Sequence, residues 1–438
     1  MLHNLKPDEL GPMGPEMADA ISACVHCGYC LPSCPTYQLL GQEQDSPRGR
    51  IFLMKEVLEG ELEPSEIAES IDQCLGCSAC VTSCPSGVEY GHLLNGYKHL
   101  KHRRRGKFLQ RLRDSLVQST FAYPNRFRWA IRFGRLFKPF SRLLPATLRP
   151  MLELLPDRLP HPVVWPNQIA AEGKVRAKVV LLTGCAQDVL APRITKAAIS
   201  VLVRNGVEVI IPEGQGCCGA LAWHAGQVDT AAKMAGNLSR KLPLDVDAVL
   251  TTAAGCGSAL KEYGLITLGT PDHQVAETLA GKTKDICEFL DELGMVPSSG
   301  LPRLMRVAYH DACHLLHAQG IDSAPRRLLK SVANLELLEL PNPGRCCGSA
   351  GSYNIEQPGL AEPLGRDKAR EILSTEVHAV ATGNIGCMVQ LERHLTDSSN
   401  NAPPVWHTIE VLERAFRPRS LTEMDQDYLR TEPSYRGQ

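Results

Sequence analysis

Residues 24–35 read Cys24-Val25-His26-Cys27-Gly28-Tyr29-Cys30-Leu31-Pro32-Ser33-Cys34-Pro35, and residues 74–85 read Cys74-Leu75-Gly76-Cys77-Ser78-Ala79-Cys80-Val81-Thr82-Ser83-Cys84-Pro85. Both are C-x-x-C-x-x-C-x-x-x-C-P, the spacing by which thiolates wrap [4Fe–4S] cubes. Three thiolates at i, i+3 and i+6 on one tight loop reach three irons of a cube. The fourth cysteine faces away and reaches the cube of the other run. The expectation is crossed ligation: Cys24, Cys27, Cys30 and Cys84 around cluster 1, and Cys74, Cys77, Cys80 and Cys34 around cluster 2. A pair of structural zinc sites is the rival reading. Such sites usually show two separated C-x-x-C pairs rather than a doubled eight-cysteine run with proline after each fourth position.

The stretch between the runs is too long for a compact small ferredoxin and carries helical signals. Ser46 and Pro47 have the chemistry of an N-cap and first helical residue. Ile51, Met54 and Leu58 recur at helical spacing and Gly60 stops the run. Pro64 is expected to open a second short helix with Ile67 and Ile71 on one face. Residues 15–97 are therefore read as a mainly helical, ferredoxin-like domain with two [4Fe–4S] clusters.

The whole chain, 438 residues with formal net charge −1, has no overall bias toward nucleic acid. Its cysteine count, 17, is odd and mostly clustered, unlike a small secreted disulfide scaffold. The first twenty residues lack a signal-peptide pattern, and no apolar run approaches the roughly 18 residues of a membrane span. A reducing cytoplasm with metal-bound thiolates is the expected setting. From Lys98 to Arg149 the chain holds 15 Lys/Arg and one acid, Asp114, with Phe121, Tyr123, Phe127, Trp129, Phe133, Phe137 and Phe140 interleaved. Residues 98–174 are read as a basic aromatic connector. It suits an anionic membrane surface or an acidic partner subunit. A solvated linker is the plainer alternative. No nucleic-acid recognition motif accompanies the charge.

The remainder repeats itself. Strand, Gly184-Cys185, helix, strand, Gly216-Cys217-Cys218-Gly219, helix, strand and Gly255-Cys256-Gly257 are followed by a second pass through Cys313, Cys346-Cys347-Gly348 and Gly386-Cys387. Cys185 to Cys313, Cys218 to Cys347 and Cys256 to Cys387 are spaced by 128, 129 and 131 residues, matching offsets that indicate duplication. Alternating strands and helices predict two small parallel sheets, over residues 175–300 and 301–415, with residues 416–438 a flexible tail. In such sheets ligands collect at the carboxyl ends of strands, where all these cysteines fall. Cys185, Cys217, Cys218 and Cys256 should thus share one pocket, and Cys313, Cys346, Cys347 and Cys387 another. The fold class expected is multidomain α+β: a helical two-cluster domain followed by two α/β repeats. Gly214, Gly216 and Gly219 formally match G-x-G-x-x-G. The cysteines within it, and the lack of an acidic strand end about 20 residues on, argue against a nucleotide. No catalytic residue set, flavin site or nicotinamide site is recognisable. Cys287 fits no motif and reads as a buried small hydrophobe.

Eight ferredoxin-type cysteines followed by two Cys…Cys-Cys-Gly…Cys repeats resemble the iron–sulfur subunits of bacterial glycolate oxidase, or glycolate dehydrogenase, over about residues 15–415. The Ser46-Pro47-Arg48-Gly49-Arg50 and His310-Asp311-Ala312-Cys313-His314 stretches look like the same group. Similar architecture occurs in the iron–sulfur subunit of anaerobic glycerol-3-phosphate dehydrogenase. The repeats alone are shared with lactate-utilisation proteins and with a subunit of heterodisulfide reductase. The resemblance implies an oxidoreductase subunit that takes electrons from a partner flavoprotein oxidising glycolate to glyoxylate and passes them to a membrane quinone. It also implies a seat on the inner face of the cell membrane. Alternatives are the same relay for glycerol-3-phosphate or lactate, or a heterodisulfide-reductase-like thiol reductase. The reductase pattern ends each repeat in C-x-x-C. Here Ala259 and Gln390 stand in the last position, leaving four cysteines per repeat, which suit a further iron–sulfur cluster, zinc or no metal. His310, His314 and His317 are near enough in sequence to complete the second set, or are hydrogen-bonded helix residues.

Overall fold

The computed structural model describes residues 1–104, 119–139 and 152–416. Arg105, part of the connector and the tail beyond Phe416 lie outside them.

The N-terminal unit is helical, as its spacing predicts. Ser46 caps the helix Pro47–Glu59, its Oγ accepting from the Gly49 N–H at 3.0 Å, and Gly60 ends it at φ 87°. Only glycine fits at position 49, since a Cβ there would lie 2.0 Å from the Glu43 carbonyl oxygen. Ile51, Met54 and Val57 turn inward against Met17 and Ile21 of the helix Gly14–Ala23 and against Leu93, Leu94 and Tyr97 of the helix Tyr90–Arg104. The second short helix starts later than expected, at Ala68. Residues 63–66 instead form a turn in which the Glu66 carboxylate accepts from the Glu63 N–H at 2.7 Å. Ile67 and Ile71 do share the buried face.

Among the described residues, nine strands form two sheets. In the first, β1 (Gln168–Ile169), β2 (Ala177–Leu181), β3 (Val207–Ile210), β4 (Ala248–Thr251) and β5 (Thr283–Asp285) lie in the order β1-β3-β2-β4-β5. In the second, β6 (Met305–His310), β7 (Leu335–Glu339), β8 (Ala379–Thr382) and β9 (Val405–His407) lie in the order β7-β6-β8-β9. Apart from β1, which is antiparallel to β3, all pairings are parallel. The duplication extends to register: Val179 faces Ala248 in one sheet, and Val307 faces Ala379 in the other. β1 falls within the stretch read as connector, so the first sheet begins upstream of residue 175.

The repeats are not beads on a string. Residues from both sheets share one apolar core, and the helix Thr408–Phe416 of the second repeat packs on the helix Pro192–Arg204 of the first. Arg193 Nε meets Glu410 Oε1 at 2.9 Å, and Arg204 Nη1 donates to the Phe416 carbonyl at 3.1 Å. Cys287 is buried in that core. The N-terminal unit shares an apolar core with the first repeat and also sits on the second. Tyr353 Oη donates to the Gln73 carbonyl at 2.7 Å, and Thr82 Oγ1 lies 2.8 Å from His317 Nδ1.

In the connector, the helix Pro124–Phe137 docks on the first repeat by Phe127 and Ile131, packed against Val189. Arg128 is buried beneath it, donating to the carbonyls of Pro160 and Asp188 at 2.6 and 2.9 Å. Its opposite side shows Trp129, Phe133, Leu136 and Phe137 to solvent. Among the described residues no helix is long and apolar enough to cross a membrane.

Candidate metal centres

The loops of the two cysteine runs turn through left-handed residues: His26 and Gly28 in the first, Gly76 and Ser78 in the second. Gly28 also makes room for Arg48, whose Nη1 lies 2.8 Å from where a Cβ would stand. The runs then exchange their last cysteines. Cys34, Cys74, Cys77 and Cys80 line a cavity of about 320 Å³ together with Arg50 and Tyr90. Cys24, Cys27, Cys30 and Cys84 line a neighbouring cavity of about 410 Å³. Cys80, Pro47 and Tyr90 border both.

Burial pushes the thiols of Cys24, Cys30, Cys77 and Cys80 up, the last two strongly, so without a cation they stay protonated. Cys74 differs. Burial opposes its ionisation, but Arg50, Lys98, the Gly76 N–H at 3.4 Å and the Tyr90 hydroxyl at 3.6 Å outweigh it and bring the thiol below its ordinary value. Arg50 is fully buried and fans out from the helix Pro47–Glu59. Its Nε donates to the Ser70 carbonyl at 2.6 Å and its Nη1 to Thr36 Oγ1 at 3.0 Å. Nη1 also lies 3.8 Å from Cys34 Sγ, and Nη2 lies 3.6 Å from Asp45 Oδ1. Four soft thiol donors around a compact cavity, with cationic and N–H donors behind the sulfurs, are chemically fitted to an iron–sulfur cube.

The repeats bring their cysteines together at the strand ends. In the first, Cys185 and Cys217 stand with sulfurs 3.7 Å apart, Cys217 neighbours Cys218, and Cys218 neighbours Cys256. Hydrogen bonds from Cys185 and Cys218 hold the Cys217 thiol well below its ordinary value, while Cys185 and Cys218 are pushed up. In the second, the sulfurs of Cys313 and Cys346 are 3.9 Å apart, Cys346 neighbours Cys347, and Cys347 neighbours Cys387. Cys346 is raised despite its hydrogen bond from Cys313. The Cys-Cys-Gly corner has a steric reason. Gly348, at φ 84°, leaves no space for a side chain, since a Cβ would lie 2.7 Å from the Ala361 carbonyl oxygen. Gly219, at φ 81°, backs onto Ala231 in the same way.

Three features were not anticipated from sequence. Arg50, marked only as part of the Ser46–Arg50 stretch, and Tyr90, not marked at all, frame the cysteines. Cys77, Cys313 and Cys346 share one small apolar cluster with Leu75 and Tyr353, so the Cys34/Cys74 cavity abuts the thiol pocket of the second repeat. His224 and His314 meet between the repeats with ring centroids 4.9 Å apart.

Comparison with known proteins agrees with this geometry. The 4Fe-4S dicluster domain family matches residues 20–88, and the cysteine-rich domain family matches residues 179–261 and 307–392. A crystal structure of a hypothetical protein from Helicobacter pylori superposes with a TM-score of 0.54 at 8% identity, covering 97% of this chain and 76% of that one, and shows a shared fold. The probable glycolate oxidase iron-sulfur subunit of Bacillus subtilis (strain 168) is 36% identical over 392 residues, 84% of this chain and 88% of that one. The glycolate oxidase iron-sulfur subunit of Escherichia coli (strain K12) is 33% identical over 412 residues, 91% of this chain and 95% of that one. With relatives of that identity matched along almost their whole length, the chain belongs to the family of glycolate oxidase iron–sulfur subunits.

Proposed function

We propose that the chain is the electron relay of a glycolate-oxidising complex. In this reading Cys24, Cys27, Cys30 and Cys84 hold one [4Fe–4S] cluster and Cys74, Cys77, Cys80 and Cys34 the other. A partner flavoprotein oxidises glycolate to glyoxylate, and a membrane quinone is the acceptor. The observation that carries the reading is the pair of adjoining cavities, each lined by three cysteines of one run and the last cysteine of the other, with Cys80 bordering both. When bound, each cube supplies a one-electron acceptor and donor. The protein's own part is to hold thiolate charge in a buried place. Arg50, the Gly76 N–H and the Tyr90 hydroxyl do so at Cys74, and hydrogen bonds to sulfur of this kind set cluster potentials. The helix Pro124–Phe137, with exposed aromatics on one side and arginines along it, supports a peripheral seat on the anionic inner face of the cell membrane.

The test is reconstitution. Purified anaerobically, the full chain should carry about eight irons in its N-terminal unit and give, on reduction, the paramagnetic signal of two interacting clusters. Alone it should not oxidise glycolate; mixed with its flavoprotein partner it should support glycolate-dependent quinone reduction. Turnover of glycolate by the flavin-free chain alone, or stoichiometric zinc in place of the clusters, would overturn the proposal.

A further inference from the structure

The two repeats match in strand order, register and cysteine positions, but not in what faces the thiols. β6 ends at His310, whose place in the first repeat, by the matched registers, is taken by Leu182. Leu182 packs in an apolar core beside Cys218. The fold therefore does not itself require a polar group at the end of this strand.

His310 is 1% exposed, and neither ring nitrogen has a hydrogen-bond partner. Leaving a buried donor or acceptor unpaired is costly, so an imidazole with both nitrogens orphaned calls for a partner the protein chain does not supply. Its ligating atom and the sulfurs of Cys347 and Cys387 all lie within 4.8 Å of one another, and all three residues are buried. The other histidines nearby are already engaged. His317 has Thr82 Oγ1 at 2.8 Å from Nδ1 and the Gly344 carbonyl at 2.9 Å from Nε2. His314 turns its Nδ1 to Cys313 Sγ at 3.5 Å and its ring to His224.

We propose that the second repeat holds a single tetrahedral zinc ion, bound by His310, Cys347 and Cys387 together with a further thiol of the same pocket. Cys346, the neighbour of Cys347, lies outside that 4.8 Å group and would have to move its sulfur inward to complete the set. A mixed imidazole–thiolate set of this size suits zinc, whose structural sites are four-coordinate. Binding would release the protons of the ligating thiols. The ion would tie the end of β6, the Cys-Cys-Gly corner after β7 and the helix Ile385–Ser398 after β8 to one point. Zinc does not change oxidation state. This centre is therefore structural, differs in kind from any centre in the first repeat, and stands or falls separately from the electron relay.

The full chain, purified anaerobically, would be assayed for zinc and measured by X-ray absorption at the zinc edge as wild type, His310→Ala and His310→Cys. The wild type should hold about one zinc, with a nitrogen shell at about 2.0–2.1 Å and sulfur at about 2.3 Å. His310→Cys should keep the metal and lose the nitrogen shell; His310→Ala should lose most of the metal. A wild type without stoichiometric zinc, an all-sulfur shell in the wild type, or a nitrogen shell that survives in His310→Cys would overturn the assignment. The wild-type spectrum decides even if His310→Ala fails to fold. The paramagnetic signal of the N-terminal clusters, read on the same samples, reports on the relay independently.

Discussion

Arg50 shows how much a single side chain holds in the N-terminal unit. One guanidinium ties the Cys34 loop, Thr36, Asp45 and the Ser70 carbonyl together while facing the Cys74 thiol. Removing one partner of a buried pair leaves the other uncompensated, at about 3–5 kcal/mol. Arg50→Met should lower unfolding stability by that order and reduce iron content. Arg50→Lys should recover only part of it, because one ammonium cannot reach four separated acceptors. A denaturation midpoint unchanged in Arg50→Met would show that the fan carries no weight. The sequence marked the residue as the end of the Ser46–Arg50 stretch but not as the hub of the site. What made it central, the approach of residues 34, 45 and 70 from three separate segments, is a tertiary fact that no local spacing encodes.

At the scale of elements, β9 ends in a buried histidine with a fixed proton. His407 Nε2 donates to the Thr252 carbonyl at 2.7 Å, and its Nδ1 accepts from the Ile409 N–H at 3.1 Å. Burial depresses its pKa from 6.5 to about 4, only partly offset by Glu410. The folded state therefore resists a proton that the unfolded state accepts. Stability is unaffected above pH 6.5 and falls as pH drops from there to about 4, by roughly 3 kcal/mol in all. His407→Gln, which keeps an amide donor and does not titrate, should show a shallower acid slope in that window and the same slope above pH 7. Parallel curves for the two proteins would refute the assignment. The helix Pro124–Phe137 makes a second prediction. Trp129, Phe133 and Leu136 lie on one exposed stripe, with Arg132 stacked over Trp129 at 5.3 Å. Each basic residue at an anionic surface contributes about 1 kcal/mol, screened beyond about 8 Å at physiological salt. Sedimentation with phosphatidylserine vesicles should fall as salt rises, and should fall further in the triple variant Trp129→Ser, Phe133→Ser, Leu136→Ser. Retention that ignores both changes would exclude this helix as the contact. Alternation of arginine and aromatic residues marked the segment in the sequence. Which arginine is buried was not marked, because Arg128 is set by carbonyls at Pro160 and Asp188 brought from elsewhere.

For the molecule as a whole, the proposed exchange of cysteines between runs would make the two centres interdependent. Cys84→Ser should damage the centre built mainly from the first run, and Cys34→Ser the centre built mainly from the second, as read by iron content and by the paramagnetic signal that remains. Residues 1–60 alone should hold no stable cluster; one intact cluster on that fragment would disprove crossing. The doubled run, the capped helix at Ser46 and the duplication were readable because each lives in spacing: ligand offsets, a 3.6-residue period and matching separations near 130 residues. β1 was not, since two residues become a strand only by pairing with β3. Nor was the seating of the N-terminal unit on the second repeat, which rests on scattered contacts such as Tyr353 to Gln73.

The crossed packing of the two repeats also orders events in time. A chain is synthesised from its N-terminus at about 5–20 residues per second, and domains ordinarily fold as they emerge. Here the helix Pro192–Arg204 cannot bury its apolar surface fully until the helix Thr408–Phe416, which packs on it, has been made. The first repeat must therefore wait, with an apolar stripe open to water, for the last turn of the second. Nascent chains stalled just short of residue 408 should bind chaperones through that stripe, and releasing the remaining residues should end the association.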